Sequence, residues 1–80
     1  MNRITTPPMG EIIRAEFIEP MGFSIREIIQ KTGIPVSTIQ DILEGRQKIT
    51  IDTSVRLGRL FGVSNRYFFN LQNDIDSRNV

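Results

Sequence analysis

The sequence predicts an all-α fold of five short helices. Three observations carry this: apolar residues recur at helical spacing in five segments, glycine or proline punctuates the segments, and no stretch alternates with the two-residue period of a strand. With no internal repeat, low-complexity tract or linker, the 80 residues read as one domain. That is near the size at which a single core is just sufficient.

Residues 1–8 are expected as a short extended polar arm, since Pro7 and Pro8 follow polar residues with no helical pattern. A first helix is predicted from about Gly10 to Glu19. Glu11 is favourably placed in its first turn, Ile13 and Phe17 share a face, and Pro20 ends it. Phe23 is placed to pack as a staple against Ile28. Ser24, with Glu27 three residues on, forms a capping box that opens the second helix, and Gly33 supplies the left-handed residue that closes it. Pro35 starts the third, in which Val36, Ile39, Ile42 and Leu43 form an apolar stripe and Ser37, Gln40, Asp41 and Glu44 lie on or beside the opposite face. Gly45 closes it. The fourth helix takes Thr50 or Asp52 as its cap, carries Val55, Leu57, Leu60 and Phe61, and stops at Gly62. Ser64 caps a fifth that turns Tyr67, Phe68 and Leu71 inward, and residues 74–80 are expected as a flexible tail.

Two short amphipathic helices pinned around one glycine, over residues 24–45, follow the pattern of a helix-turn-helix, in which one face packs and the other reads DNA. The candidate DNA-contacting residues are Ser24, Val36, Ser37, Thr38, Gln40, Asp41, Arg46 and Lys48. Gln40 suits an adenine edge through paired hydrogen bonds, and Asp41 suits a cytosine amino group. Arg46 and Lys48 follow the helix where basic side chains grip phosphates. Asp41 and Glu44 also weigh against DNA, because phosphates repel acids in the groove unless a base donor or a neighbour such as Arg46 compensates; both readings stand at this point. Tyr67, Phe68, Phe69 and Leu71 are read either as a dimer seam or as a helix that closes the core.

Net charge is only +1, so distribution matters more. From Gly45 to Arg66 the bases Arg46, Lys48, Arg56, Arg59 and Arg66 face the single acid Asp52, while Glu11, Glu16 and Glu19 lie near the start and Asp74 and Asp76 near the end. This is consistent with one basic face for nucleic acid and a basic protein partner elsewhere, or with a solvated mixed-charge surface. The chain has no cysteine and no histidine, which removes disulfides, thiolate metal sites and the commonest general base. No enzyme, metal or cofactor is expected. No apolar run approaches membrane-spanning length and no signal-peptide pattern opens the chain, so a cytoplasmic protein without membrane contact is expected.

Several segments in order carry a family resemblance: GEIIRAEFIEPMGFS at 10–24, the helix-turn-helix with its EGRQKIT exit, DTSVRLGRLFGVS at 52–64, and NLQ at 70–72. Together they resemble the HigA-type antitoxins of type II toxin–antitoxin systems, compact members of the phage-repressor-like (XRE, Cro/CI) helix-turn-helix proteins. The resemblance implies a five-helix, lambda-repressor-like DNA-binding domain that acts as a homodimer. It implies neutralisation of a co-encoded RelE/HigB-like mRNA interferase and repression of the shared operon through double-stranded operator DNA. The alternative is a phage-type or mobile-element repressor without a toxin partner; a protein-interaction adaptor that has lost DNA binding is the rival from another class. Three departures stand out: Pro8, Met9, Gly10 and Glu11 replace the frequent His-Pro-Gly-Glu, Tyr67 and Phe68 replace an aromatic pair that usually includes tryptophan, and Ile29 replaces a common alanine.

Overall fold

A proline that cannot donate a backbone hydrogen bond opens the first helix: the carbonyl of Pro8 accepts from the N–H groups of Glu11 and Ile12. The computed structural model describes residues 8–78. The expected arm 1–8 therefore lies outside the described residues except for Pro8. Helix α1 runs through three abutting segments, Met9–Ile13, a π-helical turn over Arg14–Ile18, and Glu19–Met21. It does not stop at Pro20, as the sequence predicts, but at Gly22. In the wide turn Glu19 N–H reaches back five residues to the Arg14 carbonyl. Such a turn relieves the crowding that a proline ring imposes on the preceding turn of a regular helix.

Helix α2, Ile25–Thr32, begins with the expected capping box: Ser24 Oγ accepts from Glu27 N–H at 3.1 Å, and Glu27 Oε1 accepts from Ser24 N–H at 2.9 Å. Gly33 ends it at φ 75°, a conformation that favours glycine because it lacks a Cβ. Thr32 then locks the turn, its hydroxyl donating to the Ile28 carbonyl and accepting from Ile34 N–H. Pro35 leads into α3, Val36–Leu43, without a side-chain cap. Thr50, not Asp52, caps α4, Ile51–Phe61, accepting from Thr53 N–H at 3.2 Å. Helix α5, Tyr67–Arg78, follows a turn in which Ser64 Oγ accepts from Arg66 N–H. Residues 74–78, expected within a tail, belong to this helix, and Ile75 is buried. The order is all-helical, with five helices and no strand among the described residues.

Ile13 and Phe17 of α1, Ile28 of α2, Ile39, Ile42 and Leu43 of α3, Leu57 and Phe61 of α4, and Phe68 and Ile75 of α5 are all buried in one core. Phe17 sits at its aromatic centre, 4.9 Å from the Phe61 ring and 5.1 Å from that of Phe68. Phe68 is 0% exposed, so of the two readings for the Tyr67–Leu71 cluster this side chain follows the core-closing one and cannot form a dimer seam. The expected staple residue Phe23 lies on the core edge, its ring 5.8 Å from that of Phe61. Gly10 is buried where α1 crosses α3; a Cβ there would collide with the Leu43 carbonyl, so the crossing requires the missing side chain. The fully buried Ser54 of α4 donates to the Asn65 carbonyl at 2.8 Å and accepts from Phe69 N–H at 3.0 Å, so one hydroxyl ties the turn and the start of α5 to α4.

Candidate nucleic-acid interface

Burying Ile39, Ile42 and Leu43 fixes the rotation of α3, and the residues between them must then point outward. Ser37 and Gln40 are exposed, Thr38 and Asp41 half-buried. Among the described residues the side chains of Ser37, Thr38 and Gln40 make no hydrogen bond, so their donors and acceptors remain available. Val36, assigned by spacing to the packed stripe as well as to the DNA candidates, is 49% exposed. As the first residue of its helix it has no preceding turn to pack on, so it does not belong to the packed stripe.

The two acids that weigh against DNA are both held by one base. Arg46 Nε lies 3.2 Å from Asp41 Oδ1, and a terminal guanidinium nitrogen pairs with Glu44 Oε1. The chain reverses there on Gly45, with the Arg46 and Gln47 N–H groups both bonded to the Asp41 carbonyl. The Asp41 hydrogen bond, and after it the charge of Glu44, push the guanidinium's pKa above its usual range. The result is a local triad at the end of α3 in which one guanidinium offsets half the charge of two carboxylates, leaving a net charge of about −1.

Lys48 is paired as well, with Asp76 of α5 at 3.1 Å. The same carboxylate accepts from Gln72 Nε2 at 3.2 Å, and Gln72 Oε1 accepts from the buried N–H of Ile49. Thus the segment leaving α3 is fastened to the last helix by a buried amide and an ion pair. Nothing local in the sequence signals this, because the partners are 23 and 28 residues apart. The remaining bases expected to form one basic face are partly engaged: Arg56 binds Asp52 at 3.0 Å and the Thr32 carbonyl at 2.8 Å, and Arg66 lies over the Phe69 ring. Arg56 and Arg59 line, with Lys31, a groove of about 630 Å³ between α2 and α4; Lys31 was not among the expected site residues.

Ser24 serves the start of α2, its Oγ accepting from the Glu27 N–H. At α2 the chain also pulls Glu27 below the usual carboxylate range, chiefly through the Ser24 N–H and then its hydroxyl. Of the other residues read as a dimer seam or core-closing helix, Tyr67 is 38% exposed and Phe69 and Leu71 are half-buried. No helix among the described residues is long and apolar enough to cross a membrane.

The helix-turn-helix (HTH_3) family matches this chain over residues 13–68. Virulence-associated protein I of Dichelobacter nodosus is 36% identical over 67 residues, covering 84% of this chain and 62% of that protein. The chain spans less than two thirds of the length of such curated relatives. Among solved structures, the antitoxin GraA matches with a TM-score of 0.86 at 30% identity, covering 96% of this chain and 83% of that one. The Pseudomonas aeruginosa antitoxin HigA, solved with the higBA promoter, matches with a TM-score of 0.80 at 30% identity, covering 88% of this chain and 76% of that one.

Proposed function

The chain belongs to the helix-turn-helix family, in its DNA-binding, HigA-antitoxin-like group, and from this we propose that it represses its own operon and neutralises a RelE/HigB-like mRNA interferase. The observation that carries the DNA half is the outer side of α3, where Ser37, Thr38 and Gln40 keep their hydrogen-bonding groups free on a helix whose other side is locked into the core. Here α3 enters the major groove, Gln40 pairs with a base edge, and Arg46, Lys48 and the Ser24 hydroxyl meet phosphates. Asp41 acts as the holder of Arg46, since its carboxylate is already bound to that guanidinium, and not as a cytosine reader. The repressing species is a homodimer on a two-fold site, with the exposed edge of Tyr67 and the half-buried Phe69 and Leu71 in its seam. Glu11, Glu16 and Glu19, all exposed along α1, offer a cationic toxin a complementary surface.

Two substitutions test the DNA half. Gln40→Ala is expected to lower affinity for the operator about tenfold while barely changing that for scrambled duplex. Arg46→Ala is expected to weaken both alike and to flatten the slope of log affinity against log salt by about one unit. If the Gln40 variant keeps the operator-to-scrambled ratio and the Arg46 variant keeps the slope, α3 is not in the groove. Co-expression with the adjacent gene product tests the toxin half: failure to co-purify, with toxicity unchanged, leaves a repressor without a toxin.

A further inference from the structure

We propose that Val36 reads the 5-methyl group of a thymine in each half-site, so that the operator must carry thymine at one fixed position beside the base pair read by Gln40. The inference deepens the DNA reading above and rests on α3 lying in the major groove.

Val36 is the first residue of α3, and in a helix-turn-helix the N-terminal residues of the second helix meet the base edges. Its side chain is 49% exposed, although it is apolar and its helix otherwise buries its isoleucines and leucine. Along the helix it is followed by the polar Ser37, Thr38 and Gln40, and only Pro35 before it adds exposed apolar surface next to it in the chain. A β-branched side chain has little rotamer freedom, so little is lost when it is immobilised. Those polar neighbours can satisfy donors and acceptors on base edges; Val36 can satisfy none. The one base feature in the major groove that complements an apolar side chain is the thymine methyl.

Spacing constrains where that thymine lies. Val36 and Gln40 stand four residues apart, hence on the same side of the helix and about 6 Å apart along its axis. With base pairs stacked every 3.4 Å or so, the two side chains address positions within about two steps of each other. A thymine methyl next to an adenine edge is the expected signature.

The probe is the duplex enriched from a random-sequence pool by the full chain, with each thymine replaced in turn by deoxyuridine, which removes the methyl and keeps the pairing. One position per half-site is expected to lose about fourfold in affinity, the value of one buried methyl-sized group. Val36→Ala, which shortens the side chain by two methyl groups, is expected to lose most of the thymine preference at that position while still discriminating elsewhere. If the full chain prefers the enriched duplex to a scrambled one but no uracil substitution matters, or if Val36→Ala retains the thymine preference, the inference is overturned and the DNA reading stands. If no sequence is enriched, both fall. The uracil scan uses the unaltered protein, so its outcome does not depend on how any variant folds.

Discussion

Replacing Gln72 with leucine removes an acceptor without emptying its place in the core. Gln72 is 8% exposed, and its Oε1 is the partner of the Ile49 N–H at 3.3 Å, on a residue itself 4% exposed. Gln72→Leu strands that N–H away from water, which costs about 1–3 kcal/mol, offset in part because leucine no longer buries an amide. For a domain of this size each kcal/mol lowers the melting temperature by about 4–8 °C, so a fall of roughly 5–15 °C is expected by thermal circular dichroism. A cycle through Asp76 isolates the contact. Gln72→Glu sets two carboxylates where Gln72 Nε2 now donates to Asp76 Oδ1 at 3.2 Å, and should be destabilising; Gln72→Glu with Asp76→Asn exchanges amide and acid and should recover much of the loss. A Gln72→Leu protein that melts within about 1 °C of the wild type would show that the Ile49 bond contributes no more than leucine regains by not burying an amide. A double variant no better than Gln72→Glu would show that residues 72 and 76 are not in contact, and the account of how the segment after α3 is held would be wrong.

Other expectations follow from single contacts. Gly10→Ala ought to raise helix propensity by up to about 1 kcal/mol, yet it is expected to destabilise by about 1–3 kcal/mol in urea unfolding, because the added methyl meets the Leu43 carbonyl. Glu44→Gln is expected to strengthen binding to every duplex by a few-fold at low salt, fading as salt screens it, with the operator-to-scrambled ratio unchanged; an unaltered affinity would show that Glu44 is remote from phosphate. Glu27 has a lowered folded pKa, so its contribution to stability is present above the ordinary value of 4.5 and is lost as pH falls through the folded value. Glu27→Gln is therefore expected to flatten the acid limb of stability against pH below about 4.5, measured by denaturant titration at several pH values.

Signals confined to a few residues were legible. Ser24 with Glu27, the left-handed Gly33 and the cap at Thr50 each involve partners within about one helical turn, so composition and spacing determine them. Pro20 misled because its usual effect on a regular helix is to end it, whereas here a wide turn precedes it. Val36 misled because angular position on a helix wheel takes no account of where the helix begins. Phe68 was ambiguous because an aromatic run on a short helix reads alike whether it faces its own core or a second copy. The Ser54, Gln72 and Asp76 contacts were beyond reach, since each depends on which distant backbone the fold brings to a side chain.

If Lys48 meets a phosphate as proposed, its pairing with Asp76 makes DNA binding and the hold on α5 mutually dependent quantities. If a phosphate draws Lys48 away, the last helix loses one of its ties to the segment after α3, and by reciprocity whatever neutralises or displaces Asp76 raises the affinity for phosphate by the same factor. A ligand of α5 need never approach the duplex to alter its occupancy. On that reading the C-terminal helix is a place from which DNA binding is tuned by a few-fold at most, the worth of a solvent-exposed ion pair between Lys48 and Asp76.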